Sequence, residues 1–73
     1  MADMKVVSEL NATVWKILVS AGDRIAAGDT LILLESMKME IPVAAEEAGT
    51  IKQVLVMEEQ AVSEGDPLAI LEL

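Results

Sequence analysis

Seventy-three residues with a hydrophobic content of 53% allow one compact unit and exclude a second domain, while the absence of Cys and His removes disulfides, the usual zinc sites, Ser/His triads and imidazole acid-base chemistry. Thirteen acidic against five basic residues give a net charge of −8, which repels phosphate backbones and anionic headgroups, so nucleic acid and membrane surfaces are excluded as partners. No stretch approaches the length of a membrane span and the N-terminus does not lead into a signal-peptide apolar region, so the expectation is a soluble, cytoplasmic chain that is not itself an enzyme and holds no metal.

The chain reads as strands from end to end. Runs rich in Leu and β-branched residues predict strands near Met4 to Ser8, Thr13 to Ser20, Thr30 to Glu35, Ile41 to Ala45, Thr50 to Met57 and Pro67 to Leu71, with shorter pieces around Ile25 and Val62. Gly22, the Gly28-Asp29 pair and the Gly65-Asp66 pair fall where a helical stripe would need its centre, which argues for turns.

These elements are written twice. At an offset of 37 residues, Ala12 to Glu35 aligns without a gap to Gly49 to Glu72, with eight identities that include Gly28/Gly65, Asp29/Asp66 and Glu35/Glu72. Two copies are too few for a solenoid, so the physical reading is one domain over residues 1–73, built from interlocked halves at about 4–36 and 41–73 and related by an approximate two-fold axis. The repeat also gauges burial. Val14/Ile51, Ile17/Val54, Val19/Val56, Ile25/Val62, Leu31/Leu68 and Leu33/Ile70 stay apolar in both copies and form the predicted core. Trp15 falls opposite Lys52, a residue type rarely buried without a partner, so Trp15 is expected to be semi-exposed over the sheet. Lys5, Lys16 and Lys52 read as solvated surface lysines.

Between the halves lies L-L-E-S-M-K-M-E-I-P-V, two apolar strands joined with almost no loop. A two-residue hairpin asks for Asn-Gly or a similar pair, yet this turn must be drawn from Ser36, Met37, Lys38 and Met39. A local rule broken at a forced turn marks a place where function has chosen the residues.

E-S-M-K-M-E, set between two copies of the Gly-Asp repeat, resembles the signature of the biotinyl and lipoyl attachment domains, and the resemblance covers essentially the whole chain. It implies an all-β fold: a flattened barrel or sandwich of two four-stranded antiparallel sheets with pseudo-two-fold symmetry, a barrel-sandwich hybrid. It implies that Lys38 is the site of covalent biotin attachment, that Met37 and Met39 are read by a biotin protein ligase, and that Glu35, Ser36 and Glu40 flank the tip. It further implies service between biotin carboxylase and carboxyltransferase, as a carrier that is a monomer in isolation. Amide formation would be driven by an acyl-adenylate held on the ligase, so the chain needs no catalytic residue of its own. The chain is most similar to the small stand-alone biotinylated proteins of bacteria. The alternatives are a lipoyl carrier, whose pattern has Asp before the lysine and Ala after it where this chain has Met, and an unmodified interaction module of the same fold.

Two departures from the family pattern stand out. Glu59-Gln60 replaces the second-half equivalent of Gly22-Asp23, so that turn either differs or carries positive-φ strain; and no loop is inserted to make the projecting "thumb" of some biotin carriers. The offset also makes the lysine tip and the chain ends symmetry partners, which places them at opposite ends of the domain.

Overall fold

The computed structural model describes residues 2–73, and among them there are eight strands and no helix. They are β1 (Asp3–Val7), β2 (Ala12–Ile17), β3 (Arg24–Ile25), β4 (Thr30–Ser36), β5 (Met39–Ala44), β6 (Gly49–Val54), β7 (Ala61–Val62) and β8 (Pro67–Glu72). Each predicted strand is present, with ends shifted by up to three residues. β2 and β6 stop at Ile17 and Val54, earlier than their apolar runs do, although the Leu18 and Leu55 amides still donate to the Leu31 and Leu68 carbonyls at 2.9 Å. No connection exceeds six residues, which leaves no room for a thumb.

The strands form two antiparallel four-stranded sheets, ordered β1-β8-β6-β3 and β5-β4-β2-β7. Adding 37 to each residue number carries β1 to β5, β2 to β6, β3 to β7 and β4 to β8, and so turns one sheet into the other. The hydrogen bonds outside the ladders repeat likewise. Gly28 N–H donates to Ala45 and Gly65 N–H to Ser8, while the Asp29 and Asp66 carboxylates accept from the Ala26 and Ser63 amides, both at 2.8 Å. Gly28 and Gly65 have φ of 91° and 89°, a region open to Gly at little cost, and this is why the Gly-Asp pair recurs.

The core lies between the sheets. Val14, Leu31, Ile32, Leu34, Ile51, Leu68 and Leu71 are fully buried, with Ile25, Val56 and Val62 beside them. Leu33 and Ile70, expected in the core, are only half-buried, and their neighbours Ile32, Leu34, Ala69 and Leu71 take the inner positions. The cause is a pair of β-bulges. Pairing jumps from Thr30↔Ala44 to Ile32↔Val43, and from Val7↔Pro67 to Val6↔Ala69, leaving Leu31 and Leu68 without a direct partner. A bulge resets the in-out alternation, so two consecutive residues turn inward and the rest of the strand changes phase. Ile17, Val19 and Val54 pack against the core from half-buried positions.

The substituted turn keeps the shape of its counterpart. Glu59 adopts φ 73° where Gly22 has 96°, and Gln60 Oε1 accepts from the Met57 amide at 3.0 Å as Asp23 does from Ser20 at 2.9 Å. The conformation survives the loss of Gly, so the strain stays.

Candidate functional site at the β4–β5 tip

β4 and β5 pair down to their last residues: Leu34↔Ile41, Glu35↔Glu40 and Ser36↔Met39. Only Met37 and Lys38 remain to turn the chain, and both take the left-handed region, at φ 53° and 65°. Two consecutive positive φ angles define the tight turn whose twist matches that of the flanking strands, which is why Asn and Gly dominate it elsewhere. Neither residue here is a turn former. The conformation is imposed by the hairpin below, where Ile32 and Leu34 are fully buried and Ile41 and Val43 pack against the same core.

The imposed turn decides what the tip displays. Lys38 is exposed at the apex, Met37 is 92% accessible and Met39 65%, while Ser36 is half-buried and Glu35 and Glu40 face solvent. The six residues singled out in the sequence thus fall within one hairpin end, with Lys38 at its summit. Two methionines this exposed contribute nothing to the fold. No hydrogen bond or ion pair among the described residues involves the Lys38 ammonium.

A groove of about 280 Å³ between β1 and β5 is lined by Met4, Val6, Leu10, Ile41 and Val43 among others, and a shallower one involves Arg24, Thr50 and Glu72; neither includes Lys38. The tip residues therefore suit a group attached covalently and held out in solvent, for which the protein needs one reachable amine and a rigid base.

The base is anchored at the far end. Leu73 N–H donates to Ala2 at 2.9 Å, and Glu72 lies between Asp3 and Thr50 in the ladder. The chain leaves the β4–β5 hairpin at Ala44, opposite Thr30, and enters β6 at Gly49 and Thr50, beside Glu72. Ala2 and Leu73 thus lie at the end of the molecule away from Lys38, as the repeat implies, in a body measuring 36 × 18 × 17 Å.

The sequence reading missed one feature of the site, the chemistry of its outer face. Glu35 and Glu40 stand directly opposite each other across β4 and β5, an unfavourable like-charge pair.

The chain matches the family described as "Biotin-requiring enzyme" over residues 2–71. It is 47% identical over 64 residues to the biotinylated protein TB7.3 homolog of Mycobacterium leprae, covering 88% of this chain and 90% of that one. To the biotin/lipoyl attachment protein of Bacillus subtilis it is 45% identical over 65 residues, covering 89% of each. Among solved structures, Kluyveromyces lactis urea carboxylase superposes with a TM-score of 0.92 at 30% identity, over 99% of this chain but 6% of the much longer enzyme.

Proposed function

This chain belongs to the biotin/lipoyl attachment family, and from that premise we propose that it is a biotin carboxyl carrier whose Lys38 is the attachment residue. The observation that carries the assignment is the tip: a lysine forced to the apex of a two-residue turn, in solvent, between two exposed methionines. A biotin protein ligase docks on Met37 and Met39, and the Lys38 amine attacks the carbonyl of a biotinyl-adenylate. The new amide C–N bond forms as the C–O bond to AMP breaks, and the amine gives up a proton.

When attached, biotin supplies a ureido nitrogen that takes up and releases a carboxyl group. The chain itself does the positioning. The β4–β5 hairpin holds Lys38 away from the body, and the chain ends at the far pole leave the tip free to enter a biotin carboxylase site and then a carboxyltransferase site. The chain works in the cytoplasm, as a monomer, with no catalytic group of its own. Lipoate is the alternative cargo, favoured by the double naming of the Bacillus subtilis relative and of the family itself.

The test is a mass spectrum after incubation with biotin protein ligase, ATP and biotin, and in parallel with lipoate and its ligase. One biotinyl increment is expected on the wild-type chain and none on Lys38→Arg, which keeps the charge and leaves the core untouched. An increment retained by the Arg variant refutes the site, and a lipoyl increment alone refutes the cargo.

A further inference from the structure

The two halves share a backbone but differ chemically on their outer faces, and the difference falls beside Lys38. In the β1-β8-β6-β3 sheet, Thr50, Glu72 and Asp3 form one cross-strand row, and Lys52, two residues along β6 from Thr50, reaches across it to Asp3 at 2.8 Å. The hydrogen bond to Asp3, the Asp3 charge and a smaller contribution from Glu72 together hold the Lys52 ammonium above its usual pKa. Lys52 therefore pairs with Asp3, one of two carboxylates that antiparallel pairing has set opposite each other.

In the other sheet the matching row is Thr13, Glu35 and Glu40, and the place of Lys52 is taken by Trp15, 41% exposed. Trp15 is the unpaired residue of a bulge between Val14 and Lys16, as Lys52 is between Ile51 and Gln53, and it is exposed beside buried Val14, so it lies on the outer face that carries both glutamates. Among the described residues, no basic group lies within ion-pair distance of Glu35 or Glu40. Lys16 places its ammonium 5.8 Å from the Trp15 ring centroid instead, so the indole face already draws a cation. One copy of the repeat thus shows this constellation holding a cation, and the copy at the tip keeps the two carboxylates while exchanging the internal lysine for an aromatic surface.

We propose that Trp15, Glu35 and Glu40 form the seat for an arginine side chain of the enzyme that carboxylates the loaded tip, an assignment that rests on the carrier reading. A planar guanidinium can bond carboxylates along its edge while its face stacks on an indole, a combination an ammonium cannot match. The partner follows from charge. An enzyme that binds ATP and bicarbonate gathers anions and presents a basic mouth, to which an acidic domain is steered. Amide formation at Lys38 also removes the tip's own ammonium, so the seat is more strongly anionic once the tip is loaded.

The test titrates the biotinylated chain with a biotin carboxylase, reading Kd by calorimetry and KM and kcat with MgATP and bicarbonate. Trp15→Lys restores the internal cation of the other half and closes the seat from within; Glu35→Gln/Glu40→Gln empties it of charge. Each is expected to raise Kd and KM about tenfold with kcat unchanged, and to flatten their dependence on salt. Glu40→Asp, which copies Asp3, stays within about twofold of wild type because the charge is kept. Unchanged Kd in either charge-altering variant, with the wild-type carrier active, overturns the seat alone. A wild-type chain that takes up biotin but is never carboxylated overturns the carrier reading and the seat with it.

Discussion

Replacing Met37-Lys38 by Asn-Gly should make the protein more stable and abolish its modification. Both residues sit at positive φ, 53° and 65°, without being Gly. A non-Gly residue in this region costs about 1–2 kcal/mol, and Asn escapes part of that because its short amide bonds locally. Gly escapes all of it but gives back about 0.5–1 kcal/mol through its freer unfolded chain. Nothing is lost from the core, since Met37 is 92% accessible and Lys38 is exposed. The net gain is about 1–2 kcal/mol, which in a domain of this size raises Tm by roughly 4–8 °C per kcal/mol. The assay is urea and thermal unfolding of the unmodified proteins, with equal denaturant slopes as the check that the same transition is compared. An Asn-Gly variant with an unchanged or lower midpoint would show that the tip is unstrained and that the argument from broken turn chemistry is wrong.

Glu59→Gly should likewise raise the unfolding midpoint, by about 0.5–1 kcal/mol, since Gly22 already occupies the equivalent turn; the reciprocal Gly22→Glu should lower it by a similar amount, as a Cβ there meets nothing within 4 Å and only backbone strain is added. Gly49→Ala should destabilise by about 1–3 kcal/mol in urea unfolding, because its Cβ would stand 2.5 Å from the Glu72 carbonyl oxygen. Met37→Asp with Met39→Ala should leave the unfolding midpoint near wild type and cut the kcat/KM of biotin ligase at least tenfold, since each methionine buried on a partner is worth about 1.5–3 kcal/mol. Unchanged biotinylation of that double variant would show that the methionines are not read.

The sequence carried most of the architecture because the duplication is ungapped: one half serves as a control for the other, and the turn glycines and the exposure of Trp15 follow from it. Strand phase did not follow. Leu31, Ile32, Leu33 and Leu34 are all apolar, so the residues give no hint of which of them faces out, and the bulge that decides it lies in the pairing register. The tip was legible because its turn residues are wrong for a turn. The Glu35–Glu40 pair was hidden for the opposite reason: each glutamate looks like an ordinary solvated charge until the ladder sets them face to face.

Leu73 and Ala2 are hydrogen-bonded at the far pole, and adding or removing 37 maps them onto Ser36 and Met39, the two residues that close the tip. The far pole is thus a hairpin lacking its turn. A two-residue bridge from Leu73 to Ala2, its second residue taking the place of Met1, would join the strands in the register used at the tip and make the backbone a closed ring. If that bridge were Met-Lys, the ring would carry a second apex, although there Lys52 already sits across the carboxylates. Such a ring would separate what the attaching enzyme reads at the apex from what a later partner reads on the face below it.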